Sequence, residues 1–377
     1  CKAGREHQAP WYARSCWCLG LALRAMGRFP EAAEALLNGL EANPSDPLVI
    51  HSLQFTRLED GQIAGLLPRL SAAAERVPDL PVPQQLLAEW ERRCGHVESA
   101  LIRSYRAARL GTPSHQRQWL DVAALPTAPE AIIIGAPKCG TTSLVGCLNH
   151  HPQIWAHPRK ELHFFDTRWP WGKAWYFCQF PCFQPGSGIV RLEATPNYLQ
   201  LPDVPERVRA IAPHARLIVL LRDPVQRALS WLQHMRRQEG LRDDPLPALK
   251  KELEDLEAMP PAECEAMGWR HPNALAGSMY HVQLARWQAL FSCEQMLVLC
   301  LEDLIEDPVP SLERVYGFLG LPACAAPGIQ QLPLLNPAPA RYPDLPEEFR
   351  QRLLTGLLAA PREVWSSYRG GHNAPGD

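Results

Sequence analysis

The chain reads as an α/β fold, a three-layer domain around a mainly parallel sheet, preceded by an all-α helical domain. Two observations predict the first part and one the second. Residues 132–144 and 216–231 each run from a short apolar strand through a polar turn into a helix-patterned stretch. A third apolar run, Gln295–Leu301, again leads into a helix. Before residue 125 the chain is self-similar at a shift of thirty-four residues. Strands separated by helices build parallel sheets, and ligands then bind at the strands' carboxyl ends.

The first strand leads into Gly135-Ala-Pro-Lys138-Cys139-Gly140-Thr141-Thr142-Ser143. Glycines at 135 and 140 permit close backbone approach, and the N–H groups opening the next helix favour a phosphate. A nucleoside-triphosphate loop places its lysine directly after the second glycine. Here Thr141 follows Gly140 and the lysine stands two residues before it, at Lys138. The cradle is P-loop-like, but its cation is moved, so the group it neutralises differs from a β,γ-phosphate.

The second strand, 217–221, ends at Arg222-Asp223-Pro224, and the helix that follows carries Arg227 and Ser230. Proline suits a helix's first turn. An arginine at a strand end can grip a second phosphate through paired N–H bonds.

Together, Pro137-Lys138-Cys139-Gly140-Thr141-Thr142 and Arg222-Asp223-Pro224 with Arg227 and Ser230 resemble the sulfotransferases that use 3′-phosphoadenosine 5′-phosphosulfate (PAPS). The resemblance implies that Lys138, the N–H groups of Cys139, Gly140, Thr141, Thr142 and Ser143, and the loop hydroxyls hold the 5′-phosphosulfate. Arg222 and Ser230 would take the 3′-phosphate. Lys160-Glu161-Leu162-His163-Phe164-Phe165-Asp166 is similar to the segment that carries the base in glycosaminoglycan-type members. Glu161 is thereby implied as the base and His163 as its assistant, with Asp166 nearby. Alternation with apolar residues puts Glu161 and His163 on one face of an extended segment. Residues 193–199, Glu-Ala-Thr-Pro-Asn-Tyr-Leu, match the family's E-x-[ST]-P-x-Y segment. The glycosaminoglycan enzymes usually have lysine where Ala194 stands, which argues against an anionic sugar. No lysine-glycine-arginine run closes the 3′-phosphate site, and Arg341 is a weak substitute. The resemblance covers about 130–358. It implies transfer of a sulfuryl group to a hydroxyl or amine, on a carbohydrate sooner than on a small phenol.

In the amino-terminal region the shift aligns Leu19, Leu53 and Leu87, then Gly27, Gly61 and Gly95. Pro44 aligns with Pro78, and Pro113 comes one residue late. A glycine between two helices and a proline after the second resembles tetratricopeptide (TPR) repeats. Such arrays bind a protein or peptide, or brace a neighbouring domain. The expected domains are 1–122 for the repeats and 130–377 for the sulfotransferase part, with Ala-Leu-Pro-Thr-Ala-Pro at 124–129 as linker.

With 46% hydrophobic and 21% charged residues, the composition is that of a soluble globular protein. A net charge of −2 gives no ground for a nucleic-acid partner. No apolar run reaches the roughly 18 residues of a membrane span. Twelve scattered cysteines favour reduced thiols and a cytoplasmic setting. No metal is expected, because the histidines lack ligand spacing and Cys178 with Cys182 is a poor zinc signal. Two rivals remain at this stage: a nucleoside-triphosphate-dependent kinase-like enzyme, and a non-catalytic TPR scaffold.

Overall fold

A computed structural model describes residues 9–239, 246–260, 274–324 and 345–371, together with 244 and 263. Arg341 lies outside the described residues. Two compact units emerge: Cys1–Thr127 with Ala174–Gln184, and Ala128–Lys173 with Pro185–Asp377.

The first unit holds helices α1 (Ala9–Ala25), α2 (Phe29–Ala42), α3 (Pro47–Gln54), α4 (Asp60–Glu75), α5 (Pro81–Arg93) and α6 (Val97–Leu110). Its helical pattern fits TPR-like repeats. Gly27 and Gly95 fall between paired helices, with φ of 74° and 85°, where a side chain would be strained. Pro44, Pro78 and Pro113 each follow a helix. Asp46 starts α3 by accepting N–H bonds from Leu48 (3.0 Å) and Val49 (3.3 Å), with Pro47 at the first helical position. Gly61 departs from the expected spacing. Glu59 and Gln62 form a capping box that opens α4 at Asp60, so this glycine lies inside the helix. Leu36, Leu37, Val49, Ile63, Leu70 and Leu87 are buried in one shared core. A methyl group on Gly20 would lie 2.7 Å from Leu36, so α1 and α2 pack at glycine distance.

Residues 174–184 belong to this unit although they interrupt the sequence of the other. Gln85 donates to Gln179, and both are buried. The Asp121 N–H donates to Cys182 (2.9 Å) and that of Gln184 to Trp119 (2.8 Å). Leu120 and Phe183 form an antiparallel bridge.

In the second unit, five parallel strands lie in the order β2-β3-β1-β4-β5. They are β1 (Ala131–Gly135), β2 (Ile154–Ala156), β3 (Val190–Ala194), β4 (Arg216–Leu221) and β5 (Met296–Cys300). Strand β1 is buried along its whole length, and β4 at every position but the first, which is why both read as unbroken apolar runs. The chain leaves β1 towards β2 and leaves β4 towards β5, in opposite directions across the sheet. The loops after β1 and β4 therefore flank a topological switch point, the usual ligand crevice of an open α/β sheet. Helix α7 (Thr141–Leu148) follows β1, α8 (Pro224–Glu239) follows β4, and α9 (Tyr280–Gln288) precedes β5.

Candidate active site

At the end of β1 the chain turns sharply. Lys138 has φ of 70° and Gly140 of 85°. A methyl group on Gly140 would lie 2.5 Å from Leu301, and one on Gly135 would lie 2.4 Å from Leu199. Both glycines are thus dictated by close approach. Gly140 is the N-cap of α7 and makes no side-chain cap. The N–H groups of Thr141, Thr142 and Ser143 have no acceptor within the helix, as in any first turn. The Cys139 N–H, by contrast, is directed to Ala136 within the loop (3.3 Å), and its thiol is fully buried.

Three consecutive loop residues are tied to the segment after β4. The Pro137 carbonyl accepts from Arg227 Nε (3.2 Å), and the Lys138 carbonyl from Arg222 (3.5 Å). Cys139 Sγ lies 3.7 Å from the Tyr280 hydroxyl, which donates to the Arg222 carbonyl at 2.9 Å. Arg227 is fully buried. It also donates to the Ala274 carbonyl at 2.8 Å and stands 5.4 Å over the Trp231 ring. Burial lowers its pKa, yet guanidinium stays charged. Ser230 is buried on α8. The sequence marks Arg227 only as part of a motif and does not single out Tyr280; neither carries a local signal of its role as a brace.

Residues 160–166 are not an extended strand. Glu161 and His163 have φ of 68° and 52°, and the turn is held by fixed acceptors instead of a ladder. The Glu161 N–H donates to the Ala194 carbonyl (2.9 Å) and the His163 N–H to Thr195 Oγ1 (3.3 Å). The N–H groups of Phe164 and Phe165 donate to the Tyr198 hydroxyl at 2.8 and 3.3 Å. Behind them stands Glu193, fully buried, accepting from Thr195 and Tyr198, both at 2.8 Å. The E-x-[ST]-P-x-Y segment is therefore the mould of the Glu161 turn, a role its local sequence does not reveal.

Within that turn the charges alternate. Asp166 Oδ2 lies 2.7 Å from His163 Nδ1, and Glu161 Oε2 lies 3.7 Å from His163 Nε2. Lys160 Nζ donates to Glu161 Oε1 (3.0 Å) and to Thr142 Oγ1 (2.7 Å). Burial alone would raise the Glu161 pKa, but His163 and Lys160 hold it down to about 2. For His163, burial is outweighed by Asp166 and Glu161, which push its pKa up to about 9. Asp166 is lowered, its burial overcome by His163. At neutral pH the trio is carboxylate, imidazolium and carboxylate. Lys138, Glu161 and His163 are the only non-glycine residues with positive φ among the described residues. Such strain costs on the order of 1–3 kcal/mol each and gathers at functional sites.

Comparison with known proteins assigns the chain to a family. The model of the sulfotransferase domain family matches residues 128–330, more than half of the chain, and the chain belongs to that family. Human heparan sulfate glucosamine 3-O-sulfotransferase 6 is 32% identical over 194 residues, covering 51% of this chain and 52% of that protein. Its human relative numbered 5 is 29% identical over 269 residues, 70% of this chain and 74% of that one. The match thus spans about half of the first of these relatives and about three quarters of the second. Among solved structures, a sulfotransferase from Alicyclobacillus acidocaldarius aligns with 24% identity and a TM-score of 0.46, over 64% of this chain and 96% of that one. Among the described residues, no helix is long and apolar enough to cross a membrane.

Proposed function

We propose that this protein transfers a sulfuryl group from PAPS to a hydroxyl of a carbohydrate, in a domain spanning 130–377 and preceded by TPR-like repeats over 1–122. The observation that carries the reading is the confinement, among the described residues, of the positive-φ side-chain positions to Lys138, Glu161 and His163. The donor suits the loop. An uncapped helix start beside a glycine that tolerates no side chain leaves backbone N–H groups for a phosphate. Lys138 and the N–H groups of Thr141, Thr142 and Ser143 hold the 5′ end, and Arg222 with Ser230 takes the 3′-phosphate. Cys139 contributes as part of the loop, since its N–H is spent on Ala136.

In the transfer itself, Glu161 accepts the acceptor's proton and Lys138 neutralises the departing phosphate oxygen. His163, held by Asp166, fixes the Glu161 carboxylate. The acceptor class, a carbohydrate, is read from the relatives, whose names specify glucosamine of heparan sulfate, and their names outweigh the expectation against an anionic sugar drawn from Ala194. A reducing compartment suits the ten described cysteines, all unpaired thiols. The TPR-like helices offer a surface for a protein or peptide.

The test is calorimetry with 3′-phosphoadenosine 5′-phosphate, followed by labelled-sulfate transfer onto heparan-type oligosaccharides. Tight nucleotide binding without magnesium and label on the glycan are expected. Binding of ATP only, and only with magnesium, would overturn the proposal.

A further inference from the structure

We infer that Lys160 is a further catalytic residue, whose ammonium holds the oxygens of the sulfuryl group while it passes from donor to acceptor. The inference rests on the donor and base assignments proposed above. Its own ground is placement: one ammonium reaches Thr142 Oγ1 on the donor helix (2.7 Å) and Glu161 Oε1 (3.0 Å). These two atoms mark the departing and the arriving side of the reaction. A group moving between them must pass the cation that touches both.

The direction of the Thr142 bond fits this. Lys160 donates and the hydroxyl oxygen accepts, so the Thr142 proton is left for a phosphate oxygen. The Lys160 side chain is 20% exposed, so its charge acts with little screening by water.

The vacancy at position 194 supports the same conclusion. Ala194 is buried, and its carbonyl takes the Glu161 N–H. Position 194 therefore adjoins the base, where glycosaminoglycan-type sequences carry lysine. This chain has a cation against Glu161 at 160, where Lys160 Nζ donates to Glu161 Oε1.

In the step, an acceptor oxygen lone pair forms the new O–S bond. The bond from sulfur to the bridging phosphate oxygen breaks, its electron pair staying on phosphate, and the acceptor proton passes to Glu161. Lys160 stabilises the oxygens that sulfur carries throughout. As it turns to them it releases Glu161, which then gains basicity when a base is required. One side chain thereby couples donor occupancy to activation of the base.

The test compares wild type, Lys160→Met and Lys160→Arg in the full chain. Lys160→Met is expected to lower kcat at least about 30-fold, within the range of charge-stabilising groups. Its affinity for 3′-phosphoadenosine 5′-phosphate, which lacks the sulfuryl group, should stay within about threefold by calorimetry. Carboxyl-carbon NMR of the unliganded protein should show the Glu161 pKa rising in the Met variant, because one of the cations holding it at about 2 is gone. Lys160→Arg should retain much of the wild-type rate, and Ala194→Lys on the Met background should restore part of it. A Met variant with wild-type kcat and an unmoved Glu161 titration overturns the inference while leaving the donor assignment intact. A wild type that binds no nucleotide overturns the underlying reading instead. If Ala194→Lys does not fold, the NMR titration still decides.

Discussion

Left-handed backbone positions are filled differently in the two units. In the helical unit, Gly27 and Gly95 occupy them, where only a change of direction is needed. In the sheet unit glycines such as Gly140 fill some of them, but Lys138, Glu161 and His163 fill others. Glycine would turn the chain there at lower cost, but it carries no charge and moves no proton. With the roles proposed above, the strain at these three positions is the cost of placing a functional group where the turn itself must be tight.

The comparison breaks most readily at its chemical end. Glu161→Gln and Lys138→Gly should each lower turnover at least about 100-fold, measured by labelled-sulfate transfer. The Lys138→Gly protein should also be as stable as wild type, or up to about 1 kcal/mol more stable, since the left-handed penalty disappears. A large loss of stability there would show that the side chain holds the loop instead of serving the reaction. Arg222→Ala comes next: about 10- to 100-fold weaker binding of the product nucleotide, the value of a charged hydrogen bond, with unchanged affinity removing Arg222 from the 3′-phosphate site. Tyr198→Phe strips the acceptor from two buried N–H groups and a donor from Glu193. Chemical denaturation should show a loss of about 1–3 kcal/mol.

A pH series sharpens the contrast further. The His163 pKa is raised from 6.5 to about 9, so the stabilisation it gives is complete below about pH 6.5 and is lost as pH rises through about 9. His163→Gln should flatten stability across that window. At the small end, Gly27→Ala and Gly95→Ala should destabilise by about 1–2 kcal/mol and leave turnover per folded molecule unchanged. A fall in turnover there would mean that the repeats reach into the chemistry.

What could be read from the sequence follows from how local each determinant is. The strand at 217–221 and the glycine-bounded loop were legible because their burial and turn chemistry are written within a few residues. The structure extends that strand by one residue, to Arg216–Leu221, and keeps Arg222 at its end. The Glu161 turn was misread as extended because its shape is imposed by Glu193, Thr195 and Tyr198, some thirty residues on. Alternation of apolar residues cannot report such a distant mould. The bracing roles of Arg227 and Tyr280 are hidden for a related reason: their partners are backbone carbonyls and a loop thiol, with no sequence signature. Gly61 shows the converse, a conforming residue overruled by the capping pair around it.

The membership of residues 174–184 in the helical unit bears on how the protein can be dissected. A recombinant piece starting at 128 would carry Gln179 without Gln85, and Cys182 and Gln184 without the strand-like stretch at 119–121. It would also uncouple an eleven-residue insert containing Trp175, Tyr176 and Phe180, all buried in the intact chain. Such a piece should be sticky and poorly soluble, and adding the first 127 residues as a separate polypeptide should rescue it.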